Sequence, residues 1–369
     1  MKINLLDLNA QYKTIEEEVN KAIKEVLESS TFIMGPNVKK LEEEIADFTG
    51  VGYGIAVANG TDALMLALRA LDIKEGDEVI TTPFTFFASA ETTSVVGATP
   101  VFADILPDTL CIDPESIEKH ITEKTKAIIP VHIFGQMCDM DRIMEIANKH
   151  NLYVIEDACQ AIGSEYKGRR AGSIGHFGTY SFFPTKNLGA YGDAGMVVTN
   201  NEELAKRVKL LRAHGSNIKY HHSMIGHNSR LDELQAAILR VKFKYIQQWN
   251  DKRRDKANAY NELLKGLDIV TPTELAENKH VYHMYVVQSY KRDEIINYLK
   301  EYGISTGIYY PVPVHLQEVY KPLNYKLGDL PVAEDACTKT FALPLYPELT
   351  DEQQGIVVKY IQEFFNNNC

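Results

Sequence analysis

Positive charge, paired cysteines and long apolar runs are all scarce in this chain, and each shortage removes a class of function. Thirty-nine basic residues against 50 acidic ones leave a formal charge of -11, so the general attraction to phosphate backbones is missing and nucleic acid is not an expected partner. The five cysteines, Cys111, Cys138, Cys159, Cys337 and Cys369, include no Cys-x-x-Cys pair, and their odd number suggests neither a disulfide framework nor a zinc site. No metal is expected. No run approaches the ~20 apolar residues of a membrane span, and Met-Lys-Ile-Asn-Leu-Leu-Asp at the start lacks a sustained apolar region. The expectation is a cytoplasmic protein with no membrane partner. Repeats and low-complexity segments are also absent. No Gly-x-Gly-x-x-Gly follows the early strand-like runs, which argues against a nicotinamide-dependent dehydrogenase.

What is present is ample apolar material: 45% of 369 residues, enough for a large core and, at ~100–200 residues per domain, for two domains. From about Gly50 to Thr199 short apolar runs alternate with helical stretches: Gly54–Ala58, Glu78–Thr82, Ala127–Val131, Leu152–Ile155 and Met196–Thr199. That is the pattern of an α/β sheet, largely parallel, with crossover helices. Leu231, Leu234, Ile238, Val241, Tyr245 and Trp249 then recur at spacings of three and four, which predicts one long helix over about 230–267. The division expected is a large domain over 1–240 and a smaller α+β domain over 241–369, with Val281–Val287 and Ile304–Tyr310 as its extended runs. The basic cluster from Lys252 to Lys256 reads as a solvated helix face.

Ligands of parallel sheets bind beyond the carboxyl ends of the strands, and several residues there form a constellation. Asp157 ends the run Leu152-Tyr-Val-Ile-Glu-Asp157, and Lys186 lies in Ser181-Phe-Phe-Pro-Thr-Lys186, between an aromatic strand and Gly189-Ala-Tyr-Gly-Asp-Ala-Gly195. Burial there would lower the lysine pKa and make its amine a nucleophile, able to form a Schiff base with an aldehyde cofactor. An aspartate that keeps a pyridine nitrogen protonated would complete the electron sink of pyridoxal phosphate. Asn59-Gly-Thr-Asp62 opens an apolar helix, so its amides suit a phosphate, although capping alone explains the residues equally well. Gln160 can reach the cofactor's phenolic oxygen, Ser181 its phosphate, and Phe86 its ring face. Taken singly, each has an ordinary structural explanation.

These motifs resemble the DegT/DnrJ/EryC1/StrS family of fold-type-I, pyridoxal phosphate-dependent sugar aminotransferases. The resemblance runs from Asp7-Leu8 through Gly35–Leu41, Asn59–Leu64, Glu156–Gln160, Ser181–Lys186 and Gly226–Ala237 to Tyr310–Gln317. It implies that Lys186 carries the cofactor and shuttles the proton, with Asp157 on the pyridine nitrogen and Gln160 on the ring oxygen. Gly60, Thr61 and Ser181 would hold the phosphate, and Phe86 would cover the ring. Asn228 would reach the phosphate of a neighbouring subunit, making a homodimer with shared sites, and Arg230 would touch substrate across that interface. L-Glutamate is the implied donor and a nucleotide diphosphate-linked ketosugar the acceptor, aminated at C3 for surface glycan synthesis. Relatives that dehydrate instead have histidine in place of the lysine.

Within the family, Leu211-Arg-Ala-His-Gly215, Tyr220-His-His222 and Asn228–Asp232 are similar to enzymes acting on UDP-linked 3-keto N-acetylglucosamine derivatives, including the uronate. The uronate enzymes carry His-Tyr-Pro where this chain has Tyr309-Tyr310-Pro311, so acceptors with and without the carboxylate stand level. A TDP-linked 3-keto-6-deoxyhexose is the next candidate. Tyr310 and His315 are the better candidates for sugar contacts, and His214, His221, His222 and Gln317 the weaker ones. A regulator of the same fold that binds the cofactor without turnover is the competing reading.

Overall fold

The computed structural model describes residues 2–218 and 220–367. Its strands, in chain order, are β1 (Tyr53–Val57), β2 (Glu78–Thr81), β3 (Thr99–Phe102), β4 (Thr125–Ile129), β5 (Tyr153–Asp157), β6 (Glu165–Tyr166), β7 (Arg169–Arg170), β8 (Phe177–Ser181), β9 (Gly195–Thr199), β10 (Asn278–Lys279), β11 (Tyr285–Gln288) and β12 (Thr340–Leu343). Seven of them make the main sheet, in the order β1-β9-β8-β5-β4-β2-β3. The sheet is parallel except around β9, which runs antiparallel to both neighbours. Alternate residues of single strands point into two different cores: Ile55 and Val57 into one and Ala56 into the other, Ala127 and Ile129 into one and Ile128 into the other. Both faces are therefore covered, which is why these strands read as continuous apolar runs.

β3 has no such signature, since it is the tetrapeptide Thr-Pro-Val-Phe. It sits at the sheet edge, where the N–H that Pro100 lacks is not needed.

The helix expected over 230–267 is two helices, Glu233–Phe243 and Ile246–Leu263. At the break the Tyr245 N–H donates to the Lys242 carbonyl at 3.0 Å, a tighter turn than an α-helix makes. The turn lets Phe243 meet Phe48 edge-on at 5.2 Å while Tyr245 stacks on Trp249 at 5.8 Å and its hydroxyl donates to Glu18. The basic cluster that follows is not a solvated face either. Arg253 is 2% exposed, and its Nη1 donates to the carbonyls of Tyr282, His283 and Leu345. Ile304–Tyr310 forms no strand; it makes single bridges from Ile304 to Ile3 and from Gly307 to Ala342, and its Tyr309 carbonyl accepts from the Thr340 hydroxyl at 3.1 Å.

A separate core gathers Tyr260, Tyr282, Tyr285, Leu299, Phe341 and Ile361 around the β11–β12 pair. Ile3, grouped by the sequence with the first domain, is fully buried in this second core. Among the described residues no helix is long and apolar enough to cross a membrane.

Candidate active site

The carboxyl ends of β1, β5 and β8 come together at one edge of the sheet, because Asp157 pairs with Thr179, Ser181 with Gly195, and Gly195 with Val57. Gly195 leaves room for the neighbouring chain, since a Cβ there would lie 2.4 Å from the Asn59 carbonyl carbon. That approach brings the helix Gly60–Ala70 over the strand ends.

At its start the Asn59 side chain accepts from the Asp62 N–H at 2.8 Å, as a cap does. The amides of Gly60 and Thr61 keep no acceptor within the helix. A Cβ on Gly60 would lie 2.6 Å from the Ser181 Cβ and 3.1 Å from the Cys159 Sγ, so this glycine lets Ser181 close against the helix start. Two free amides, a helix N-terminus and a hydroxyl thus converge where the sequence places a phosphate.

Asp157 is 5% exposed. Its Oδ2 accepts from the Ser89 hydroxyl at 2.7 Å and its Oδ1 from the Cys159 N–H at 3.2 Å. An ionised carboxylate has about four acceptor positions, so roughly two remain for an incoming ring N–H. Lys186 sits in the turn after β8, its N–H donating to the Phe183 carbonyl at 2.8 Å. No partner among the described residues holds its amine. Burial pushes the Lys186 pKa below the usual lysine value, with Cys159 and Asp157 pulling it partway back. A lysine amine without a partner, in the field of Asp157 and beside an anion cradle, suits pyridoxal phosphate.

Gln160 is held from both ends: its Oε1 accepts from the Phe134 N–H at 2.8 Å and its Nε2 donates to the Tyr310 hydroxyl at 3.1 Å. One Nε2 hydrogen stays available for a ring oxygen. Tyr310 lies near-parallel to Phe134 and edge-on to Phe84, and burial pushes its hydroxyl pKa well up. The structure therefore groups Tyr310 with the cofactor residues. Phe86, 59% exposed, stands at the rim.

Asn228 is exposed and its Oδ1 accepts from Arg230 at 2.7 Å, while the Arg230 Nε is buried with no partner. Neither hydrogen-bonds to Lys186 or Asp157 of its own chain. Their loop is tied down by Ser229, whose hydroxyl accepts from the Ala58 N–H at 3.3 Å, and by Arg69, which meets His227 and the Ile225 carbonyl. His214 and His222 belong to the same loop, linked through the His222 Nδ1 and the His214 carbonyl at 2.8 Å, and His221 lies exposed beside them.

His315 departs from its expected place as a sugar contact. Its side chain is fully buried, its Nε2 lies 3.1 Å from Glu334, and its ring packs against Phe102 and Tyr325. Those partners hold it inside an aromatic cluster with its Nδ1 buried and without a hydrogen-bond partner, and burial lowers its pKa. Gln317 begins a short turn next to it.

Two groups escape sequence reasoning. Ser89 and Thr85 are buried 3.0 Å apart, and Ser89 reaches Asp157 from the segment that follows β2. Glu156, immediately before Asp157, points the other way and accepts from His132 and from the N–H groups of Gly172, Ile174 and Gly175. An acid flanking a predicted site is a signal only once its strand's alternation is known.

The sequence pattern of the DegT/DnrJ/EryC1/StrS aminotransferase family matches residues 13–362. A protein of Geobacillus stearothermophilus called a pleiotropic regulatory protein is 51% identical over 100% of both chains. A UDP-N-acetyl-3-dehydro-alpha-D-glucosamine 3-aminotransferase of Acidithiobacillus ferrooxidans is 46% identical over 98% of this chain and 97% of its own. Among solved structures, DesV of S. venezuelae in complex with a ketimine intermediate superposes with a TM-score of 0.96 at 41% identity, covering 98% of each chain. Pyridoxal phosphate is the cofactor of this group. The chain therefore belongs to the DegT/DnrJ/EryC1/StrS aminotransferase family and is a pyridoxal phosphate-dependent aminotransferase.

Proposed function

We propose that the protein moves an amino group from L-glutamate to the C3 keto carbon of a UDP-linked N-acetylhexosamine, for surface glycan synthesis. The observation that carries this reading is the Lys186 amine: partly buried, unpartnered and depressed in pKa beside Asp157. Bound pyridoxal phosphate would supply a protonated ring that draws electrons from the carbon bearing the amine. Asp157 would accept the ring N–H, Gln160 would donate to the ring oxygen, and Gly60, Thr61 and Ser181 would hold the phosphate. Lys186 takes the α-proton of glutamate in one half-reaction and returns a proton to the sugar carbon in the other. A lowered pKa makes the neutral, proton-accepting amine more available than it is in an exposed lysine. The name of the A. ferrooxidans relative supports the UDP-linked 3-keto acceptor.

The site is completed by a second copy of the chain in this reading. Apolar side chains stand exposed on the segments that flank it: Phe32 at 45%, Met34 at 45%, Phe183 at 51% and Ile225 at 82%. A homodimer would cover them and carry Asn228 and Arg230 to the neighbouring site. The division into units of 1–240 and 241–369 belongs to the same proposal, with Ile3 crossing between them.

The test is direct. Purified holoenzyme mixed with L-glutamate should lose its visible cofactor band and gain the pyridoxamine one, and a band that never changes would favour the regulator reading. A panel of UDP- and TDP-linked 3- and 4-ketosugars, with products read by mass and NMR, then decides the acceptor.

A further inference from the structure

The geometry points to Thr85 and Ser89 as positioning residues that act through Asp157 to keep the cofactor's ring nitrogen protonated. This rests on the placement of Asp157 proposed above. Ser89 is 1% exposed, Thr85 3% exposed, and both flank Phe86, which is 59% exposed. One short segment at the start of the helix Ala88–Val95 therefore presents a ring-covering aromatic outward and a hydroxyl chain inward.

The direction of that chain follows from counting protons. Ser89 has one hydroxyl hydrogen, and it goes to the Asp157 Oδ2 at 2.7 Å. In the 3.0 Å contact between Thr85 and Ser89, the Ser89 oxygen must then accept and Thr85 must donate. Each donation polarises the next, so the carboxylate meets a stronger donor than an isolated serine.

The Ser89 donation supports negative charge on the Asp157 carboxylate, and a carboxylate that stays negative keeps the shared proton on the ring nitrogen, where it strengthens electron withdrawal. The bond also fixes which way the carboxylate faces. The Cys159 N–H holds Oδ1 at 3.2 Å and Ser89 holds Oδ2, so the carboxylate is pinned through both oxygens. Without Ser89 the carboxylate keeps only the Cys159 N–H on Oδ1, is held less firmly, and takes a larger share of the proton.

The experiment uses holoenzyme of Ser89→Ala, Thr85→Val and the conservative Thr85→Ser. Expected for Ser89→Ala are a fall of about tenfold in kcat with little change in KM for glutamate, since the lost bond is one to a charged group. Thr85→Val should lose about threefold and Thr85→Ser should restore most of it. The decisive readout is the pH titration of the visible cofactor band. A ring nitrogen that holds its proton less firmly puts less positive charge near the Lys186 nitrogen, so the titration midpoint should rise in Ser89→Ala and, by less, in Thr85→Val. Unchanged midpoints in both variants would overturn the relay. The titration needs only bound cofactor, so it judges the relay even where glutamate conversion fails and the aminotransferase reading falls with it. Thr85→Val keeps the side-chain volume and serves as the test should Ser89→Ala not fold.

Discussion

Replacing Lys242 by methionine should stabilise the protein at neutral pH. Lys242 lies on the helix Glu233–Phe243, is 1% exposed, and its Nζ has no hydrogen-bond partner. Its nearest compensation is aromatic: Nζ is 4.9 Å from the Tyr191 ring centroid and 6.0 Å from that of Trp249. Burial pushes the pKa from 10.5 down to about 8, with Glu348 acting weakly in the other direction. At ~1.4 kcal/mol per pH unit, the protonated side chain is disfavoured in the fold by about 3 kcal/mol relative to the neutral amine. The folded pKa lies below the unfolded one, so this penalty is complete below about pH 8 and fades as the pH climbs towards 10.5. Methionine fills similar space with no charge, and gives up only the ~0.5–2 kcal/mol of ring contact. Lys242→Met should therefore be more stable by roughly 1–3 kcal/mol at pH 7, an increase of several degrees in apparent Tm. The margin should narrow steadily between pH 8 and 10.5. Thermal scans of both holoenzymes at pH 7, 9 and 10.5 provide the check. A lower Tm for the variant at pH 7, or a difference that ignores pH, would refute the reasoning.

Lys186→Ala should keep the fold, judged by circular dichroism, and lose both the visible cofactor band and all transamination; retained activity would remove the residue from the mechanism. Gly60→Ala should weaken cofactor binding by at least about tenfold, because its Cβ would meet the Ser181 Cβ at 2.6 Å; equilibrium dialysis against pyridoxal phosphate measures this. Lys186→Ala and Asn228→Ala proteins, each impaired alone, should recover activity after mixing and subunit exchange, since a mixed dimer restores one intact shared site. No recovery despite exchange demonstrated by mass spectrometry would count against a shared site.

The parts of this site that can be read from sequence are those that follow buried strands. Asp157 and Ser181 stand at the carboxyl ends of β5 and β8, and two-sided burial turns such strands into visible apolar runs. Lys186 is legible for a related reason, because aromatic and glycine neighbours leave a lysine little solvent. Ser89 is not, since its partner is 68 positions away and the serine looks like any other polar residue near a helix start. Arg253 misleads for the opposite reason: a charge run looks solvated until carbonyls from Tyr282, His283 and Leu345 meet around one guanidinium. The helix break at Tyr245 escapes because periodicity of three and four survives a single tight turn.

Asn228 and Arg230 mark a different kind of limit. Their loop is anchored through Ser229 to Ala58, just before the helix Gly60–Ala70, and through His227 and Ile225 to Arg69 within that helix. The helix that would cradle one phosphate therefore braces the loop proposed to reach the other. In a dimer built this way, loosening Arg69 would disturb the partner's site through Asn228 more than its own. Spacing along one chain carries no trace of that dependence, because the contact proposed for the loop would be made only when two copies meet.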